Sequence, residues 1–244
     1  MRQKLLVLIA VMLPLMVMSQ GIITRPGKGP TKSSKMQNSS VKKKQRQSGG
    51  PQTGTLNGHE WVDLGLSVKW ATMNVGATSP SDYGGYYAWG ETITKSSYDW
   101  DNYFDSLDGT GNSFRTYKRG SQSSINPTSG HDTARENWGS TWRMPTSVEG
   151  AELRKKCKWV GTDKDGHAGY TVTGPNGNSI FLPISGYCSG TETRYVGISF
   201  NYWLSSIEPS SPDIANFLYV PRDDYDSDMM ISRELGLCVR PVTE

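Results

Sequence analysis

The aromatic residues of this 244-residue chain are confined to one part of it. All 8 tryptophans, 12 tyrosines and 5 phenylalanines lie beyond residue 58. A buried aromatic side chain removes roughly 150–250 Å² from water, which at about 25 cal/mol per Å² outweighs any surface ion pair. Residues 58–244 therefore contain enough large apolar side chains for a substantial hydrophobic core, and their length fits one domain.

The first residues have the pattern of a targeting segment. Residues 5–17 form an apolar run that follows a basic start at Arg2 and Lys4 and is too short to span a bilayer comfortably. Val17 and Ser19 are residues that signal peptidase accepts, so we predict a signal peptide over residues 1–19. The mature chain is then exported, and is secreted, periplasmic or at the cell surface without spanning the membrane.

Residues 20–57 are rich in Gly, Pro, Ser, Thr, Gln and Asn, and they contain eight basic residues and no acidic one. Such a composition buries too little apolar surface to offset the entropy of ordering, so we predict a disordered basic linker. Its basic run at 42–46 could contact an anionic envelope surface. Residues 58–244 carry 16 basic and 23 acidic groups, a net charge of −7, which argues against nucleic-acid binding by the folded part.

Residues 137–159 contain three tryptophans and a strong helix-start pattern. Thr146 and Glu149 form a Thr-x-x-Glu capping box, in which each side chain satisfies a free amide at the start of the helix. Acidic residues come early in the following segment and basic residues late, as the helix dipole favours. A shorter helix is predicted over 132–138, with Ser129 as its N-cap, and Trp142 is predicted to belong to the core.

Short β-rich segments surround these helices and are separated by turn residues. Strands are predicted at 60–64, 68–73, 86–90, 170–173, 179–183, 186–188, 202–206, 217–220 and 237–242. The residues from Gly174 to Gly177 read Gly-Pro-Asn-Gly and predict a hairpin. The pattern as a whole predicts an α+β fold with short antiparallel strands, two helices and long loops, and the loops are the candidate binding surface.

Six blocks of this sequence resemble a known family. They are HEWVDLGLSVKWATMNVGA at 59–77, YYAWGET at 86–92, NWGSTWRMPT at 137–146, VTGPNGNSIFLPISGY at 172–187, YWLSS at 202–206 and CVRPV at 238–242. In this order they are similar to the Fibrobacter succinogenes major paralogous domain, and they span nearly all of residues 58–242. Gly150 departs from the family pattern, which usually has a larger apolar residue there, and this predicts looser packing of the helix.

The resemblance implies a C-type-lectin-like fold in a secreted or surface protein of a Bacteroidetes-type bacterium. It also implies that a first strand near Trp61 pairs with a last strand near Val239. The segment from about Tyr187 to Leu235 would then form the loop-rich face on which relatives of this fold bind ligands.

The sequence contains none of the catalytic motifs that we considered. It lacks a Gly-x-Ser-x-Gly elbow, a phosphate-binding glycine loop and a Cys-x-x-Cys pair, and its three histidines are scattered. We therefore predict a non-catalytic binding or adhesion domain for a glycan or a surface protein. Two alternatives stay open, namely an oxidoreductase related to the formylglycine-generating enzymes, which use a copper-binding cysteine pair, and a structural component of a surface filament.

The three cysteines cannot all pair within one chain. Cys157 is predicted to lie on the core face of the helix. Cys188 and Cys238 lie on predicted strands and are the candidates for a disulfide in an oxidising compartment.

Calcium is the one cofactor that the sequence suggests, because clustered carboxylates are the ligands that Ca²⁺ prefers. The first candidate site is the acidic run of Asp223, Asp224, Asp226 and Asp228. Weaker candidates are Asp163 with Asp165 and Asp105 with Asp108.

Aromatic residues in the last third of the domain are the candidate ligand contacts, since tyrosine offers a large contact area at a low entropy cost. The predicted ligand-binding residues are Tyr187, Tyr195, Tyr202, Trp203, Asn216 and Tyr225.

Overall fold

The computed structural model describes residues 52–118, 124–208, 210–220 and 229–244. The predicted signal peptide and nearly all of the predicted linker lie outside these residues. The strands are β1 (Thr53–Leu56), β2 (His59–Val62), β3 (Lys69–Ala71), β4 (Lys158–Lys164), β5 (His167–Thr173), β6 (Ser179–Pro183), β7 (Tyr187–Ser189), β8 (Glu192–Arg194), β9 (Tyr202–Ile207), β10 (Ile214–Leu218), β11 (Met229–Ser232) and β12 (Val242–Thr243). The helices are α1 (Thr133–Trp138) and α2 (Ser147–Lys156), with a 3-10 turn at Trp100–Asn102.

The strands form small antiparallel sheets. One sheet has the order β1-β2-β3-β12, a second β11-β10-β9, a third β4-β5-β6, and β7 pairs with β8. With its two helices, the described part of the chain is an α+β or mainly-β fold, which confirms the coarser part of the prediction. No helix in the described ranges is long and apolar enough to cross a membrane.

The first hairpin begins inside the range assigned to the linker. Strands β1 and β2 are joined by Asn57 and Gly58, which both have positive φ angles, of 48° and 82°. An Asn-Gly pair with this geometry favours a two-residue hairpin turn. The folded region therefore starts earlier than residue 58, because β1 pairs with β2 along its whole length and Leu56 packs against the core.

The two ends of the folded unit meet in one sheet, but not through the strands that the resemblance implied. Strand β12 pairs with β3, with Val242 opposite Trp70. Trp61 lies on β2, whose two edges are already taken by β1 and β3, so it cannot pair with a strand near Val239. The amide of Val75 instead donates to the carbonyl of Val239 at 3.0 Å.

Two predicted strands are shorter or more irregular than expected. In segment 86–90 only Tyr87 bridges, to Leu237, and Gly90 turns the backbone away with a φ of 80°. In segment 237–242 a regular ladder is interrupted at Pro241, which has no N–H to donate. The hairpin predicted at Gly174–Gly177 is confirmed, since β5 pairs with β6 and Gly177 N donates to Gly174 O at 3.0 Å.

Helix α2 begins at the predicted capping box. The Thr146 amide donates to Glu149 Oε2 at 2.8 Å, and the Glu149 amide donates to Thr146 Oγ1 at 3.3 Å. The looser packing expected at Gly150 is wrong. A Cβ atom at this position would lie 3.1 Å from two Leu204 methyl carbons. The Leu204 side chain on β9 therefore fills the space that the glycine leaves.

Helix α1 is capped by Asp132 and not by Ser129. One carboxylate oxygen of Asp132 accepts from the Arg135 amide at 2.9 Å, and both oxygens accept from the Met144 amide at 3.0–3.1 Å. Asp132 is fully buried, and its burial raises the pKa of the carboxyl from 3.8 to about 6, although these amide bonds oppose the shift.

This shift makes stability depend on pH. Between about pH 4 and about pH 6 the folded chain keeps a proton on Asp132 that the unfolded chain has lost, so the contribution of Asp132 to stability falls as the pH rises through this window. We expect the Asp132→Asn variant, which keeps a side-chain oxygen for the helix cap, to lack this component. The free energy of unfolding of both proteins can be measured by chemical denaturation from pH 3 to pH 8. Between about pH 4 and about pH 6 that of the parent should fall by roughly 2–3 kcal/mol more than that of the variant. Equal slopes would contradict the assignment.

Tryptophans occupy the centres of two large apolar clusters. Trp89, Trp142 and Trp203 are fully buried in the first cluster, and Trp70 is fully buried in the second. Each of the first three donates its indole N–H to a backbone carbonyl, at 2.7–2.9 Å. Trp61 is only partly buried and packs at the margin of the first cluster.

A buried cation lies among aromatic rings. The guanidinium carbon of Arg233 lies 4.1 Å from the ring centre of Phe114 and 5.3–6.0 Å from three more rings, those of Trp89, Tyr103 and Tyr117. Its Nη1 lies 3.3 Å from Asp105 Oδ2, and both side chains are fully buried. We call this group the arginine cage. It anchors the irregular segment 100–117 against the end of β11.

Candidate functional site

Two of the predicted ligand contacts form an aromatic pair at the surface, of which one ring is exposed and the other half-buried. Tyr187 lies on β7, opposite Arg194 on β8, and Tyr195 follows directly after β8. The rings of Tyr187 and Tyr195 are 5.8 Å apart with an angle of 31° between their planes. Tyr187 is half-buried against the first core cluster, while 56% of Tyr195 is exposed.

The backbone that presents Tyr195 is tightly held. Tyr195 has a φ of 57°, in the left-handed region, which costs a non-glycine residue roughly 1–2 kcal/mol. Its carbonyl accepts from the amides of Ile198 at 3.0 Å and Ser199 at 2.9 Å, and the Gly197 amide donates to Ile184 O at 2.8 Å. We call residues 195–199, together with Tyr187 beside them, the tyrosine loop.

The tyrosine loop is apolar and open to solvent. Ile198 is 78% exposed and Val196 is 41% exposed, next to the Tyr195 ring. The charges beside it cancel in an exposed ion pair between Arg194 Nη2 and Glu192 Oε2 at 2.9 Å. Burial raises the pKa of Tyr187, so its hydroxyl stays protonated and able to donate near neutral pH. The loop therefore offers aromatic faces and, at Tyr187, a hydroxyl that can donate.

Tyr202 and Trp203 were predicted to contact a ligand, and the structure places both in the core. They lie on β9, which is covered on both faces, so Tyr202 packs into the second cluster and Trp203 into the first. The Tyr202 hydroxyl donates to Pro183 O at 2.7 Å, and the Trp203 indole donates to Tyr87 O at 2.7 Å. Neither side chain is free to meet a ligand.

Asn216 lies on β10, away from the tyrosine loop residues in sequence, and faces a groove. A groove of about 420 Å³ separates the first turn of α2 from the ends of the β9-β10-β11 sheet. Its lining includes Ser147, Val148, Ser206, Glu208, Asn216 and Met230. We call it the α2 groove.

Some polar side chains of the α2 groove have hydrogen-bond partners within the described residues, and that of Asn216 has none. The Ser147 amide donates to Ser206 Oγ at 3.0 Å, and Glu208 Oε1 accepts from the Ser210 hydroxyl at 2.8 Å. Asn216 is only 6% exposed, and within the described residues its side-chain amide makes no hydrogen bond. Hydrogen bonds from Ser210 lower the pKa of Glu208, which is therefore charged at neutral pH.

Sequence reasoning found Asn216 but not the residues around it. A relevant signal was present, since Ser206 and Asn216 are polar residues inside mostly apolar strands. The capping box also marks a helix N-terminus whose first amides need partners.

The first calcium candidates, Asp223, Asp224, Asp226 and Asp228, lie outside the described residues, as does Tyr225. In the described ranges no group of three or more His, Cys, Asp or Glu side chains is placed to hold a metal ion. The weaker candidates have other roles. Asp165 and Gly166 form the β4–β5 hairpin turn, Asp163 Oδ1 accepts from the Gly166 amide at 3.2 Å, and Asp105 pairs with Arg233.

All three cysteines are free thiols, so the candidate disulfide between Cys188 and Cys238 is not formed in this structure. Cys188 bridges to Gly236, which makes Cys238 its diagonal neighbour. Diagonal pairs lie about 7–8 Å apart, too far for a disulfide without a backbone shift. Burial raises the pKa of Cys157 to about 11 and that of Cys238 to about 12.

In comparisons with known proteins, no family model, no curated protein and no solved structure matches this chain. The resemblance described from the sequence therefore stays a prediction.

Proposed function

We propose that this chain is an exported, non-catalytic binding domain with a C-type-lectin-like fold, and that it recognises a glycan at a bacterial surface. The observation that carries the proposal is the tyrosine loop. The exposed ring of Tyr195 and the half-buried ring of Tyr187 beside it supply apolar faces for the C–H face of a sugar ring, and their hydroxyls supply hydrogen-bond partners.

The strained backbone at Tyr195 supports this assignment. Residues in sparsely populated backbone regions persist only where their surroundings hold them, and they concentrate at ligand contacts. Here the strain displays a tyrosine next to an exposed isoleucine, an arrangement that does not help the isolated domain to fold. A ligand that covers both side chains would account for it.

The proposed fold rests on the sequence resemblance and on three architectural features. Strand β12 closes the first sheet, two helices accompany several small antiparallel sheets, and long irregular segments connect them. The proposed export rests on residues 1–19, and residues 20–51 would act as a basic tether. Burial raises the pKa of the half-buried Cys157 and of the buried Cys238, so these thiols supply little thiolate at neutral pH, which favours binding over thiol chemistry.

A printed glycan array probed with the full chain tests the proposal. We expect a restricted set of glycans to be bound, and parallel arrays with and without a chelator to report any need for calcium. If no glycan is bound in either condition, the proposal is wrong, and a surface protein becomes the ligand class to test.

Replacing Tyr195 with Asn should weaken binding of the best array glycan by about tenfold or more, because the substitution removes a central aromatic contact. Asparagine tolerates the left-handed backbone, so the loop and the thermal midpoint should be preserved. Val160→Ala is the matched control, since Val160 is 45% exposed on β4, outside the tyrosine loop. Binding by Tyr195→Asn within about twofold of the parent would exclude the tyrosine loop as the site.

A further inference from the structure

We propose that the α2 groove is a second binding subsite, which holds a neutral sugar residue of the glycan through the side-chain amide of Asn216. This inference deepens the proposed function and rests on it. The sequence predicts Asn216 as a ligand contact, but it indicates neither the groove around this residue nor the kind of group that the groove would hold.

The first argument is the state of Asn216. The side chain of Asn216 is largely buried, but its amide nitrogen and oxygen are not among the fully buried unpaired polar atoms of the described residues, so the amide reaches the groove. Asn216 is 6% exposed, and no described side chain or backbone group bonds its amide. A ligand in the groove would supply the missing partners, since a sugar hydroxyl both donates and accepts.

The second argument is the helix end that faces Asn216. In the first turn of α2, Ser147 N is bonded to Ser206 Oγ and Glu149 N to Thr146 Oγ1. The Val148 amide lies between them and has no acceptor within the helix because of its position. Val148 is 77% exposed at the rim of the groove, so its amide can donate to a ligand oxygen.

The third argument is charge, which selects a neutral ligand. Glu208 is the only charged side chain among the described lining residues, and it repels an anion. The N-terminus of α2 forms another wall of the groove and carries a partial positive charge, which disfavours a cation beside it. A ligand with uncharged hydroxyl or amide groups satisfies both sides of the groove.

Shape and apolar contacts agree with a sugar ring. The groove volume of about 420 Å³ lies within the range of about 300–1,000 Å³ that is typical of small-molecule sites. Val148, Ile207 and Met230 contribute apolar lining beside the hydroxyls of Ser124 and Ser206. Such mixed walls contact the C–H face and the hydroxyl edge of a sugar at the same time.

The test is a nuclear magnetic resonance titration of the full chain with the methyl glycosides of glucose, galactose, mannose and N-acetylglucosamine. The side-chain amide signals of Asn216 are assigned by their disappearance in the Asn216→Leu variant. We expect at least one glycoside to shift these signals and the Val148 amide signal in a saturable way. Lysine methyl ester and inorganic phosphate, added in parallel, should shift neither.

Two variants make the test decisive. Asn216→Leu removes the unpaired amide at similar size, so it should lower glycoside affinity at least about tenfold while the thermal midpoint stays equal or rises. Val148→Trp fills the groove mouth from an exposed helix position, so it should abolish the shifts and leave the core untouched. Affinity that is unchanged in both variants, or saturable shifts with phosphate or lysine ester alone, would overturn the subsite.

Failure of the subsite can be told apart from failure of the proposed function. If array glycans bind and Tyr195→Asn loses them while Asn216→Leu and Val148→Trp keep them, the tyrosine loop alone is the site and the subsite is wrong. If no glycan and no glycoside binds the parent chain, glycan recognition itself is wrong.

Discussion

Replacing Asp105 with Ala should destabilise the fold by about 3–5 kcal/mol, because the substitution leaves the buried Arg233 guanidinium without a counter-charge. Both side chains are fully buried, with 3.3 Å between Arg233 Nη1 and Asp105 Oδ2. The substitution also removes the acceptor of the Thr116 and Tyr117 amides, which donate to the Asp105 carboxylate at 2.6 and 3.1 Å. Urea denaturation monitored by tryptophan fluorescence measures the loss.

A double-mutant cycle separates the ion pair from its surroundings. Arg233→Met keeps apolar contact with the four rings of the arginine cage but removes the charge. The Asp105→Ala/Arg233→Met double variant should be more stable than the sum of the two single losses predicts, because neither buried charge remains. Asp108→Ala, at an exposed acidic residue nearby in sequence, is the control and should have little effect. Additive losses in the cycle would show that the pair contributes nothing as a pair.

Replacing Trp142 with Ala should cost about 3–5 kcal/mol, since the ring is fully buried in the first core cluster and truncation leaves a cavity. Trp142 Nε1 also donates to the Leu56 carbonyl at 2.9 Å, which ties β1 to the core. Chemical denaturation at equilibrium reports the change, and a shift near zero would refute the core assignment.

Trp142→Phe is the matched control for this site. It keeps most of the apolar volume and removes the indole donor, so it should cost a smaller amount, on the order of 1–2 kcal/mol. If the two variants are equally destabilised, the hydrogen bond to β1 and not the buried ring is the main contribution of Trp142.

The parts of the fold that could be predicted from the sequence are those with a local cause. The Thr146–Glu149 box fixes the start of α2, and the Gly174–Gly177 turn fixes the β5–β6 hairpin, because all the interacting groups lie within a few residues of one another. The same local reading would have placed β1, since the Asn57-Gly58 pair is a strong hairpin turn.

Contacts between residues that are far apart in the sequence could not be predicted from local patterns. Asp105 and Arg233 are 128 positions apart, and no pattern in either segment indicates the other. The choice of Asp132 over Ser129 as helix cap depends on the Met144 amide, which the following turn brings to it.

The candidate site shows the same limit. Tyr195 and Tyr202 are both candidate ligand contacts by residue type. The sequence favours exposure of Tyr195 over Tyr202, and the three-dimensional arrangement gives the reason. Tyr195 follows a two-stranded hairpin at the surface, whereas both faces of the strand that carries Tyr202 are covered by core clusters. Asn216 could be nominated from composition, but its lack of hydrogen bonds is a property of the assembled groove.

The closure of the first sheet by β12 also affects when the chain can fold. Arg240 donates to Ala71 O across 169 sequence positions, and contacts between such distant residues form slowly because a long loop must close first. During synthesis, β3 therefore has no final partner until residues 240–243 have left the ribosome. A nascent chain that stays unfolded for this time would remain competent for passage through a translocation channel, as the export that we propose requires.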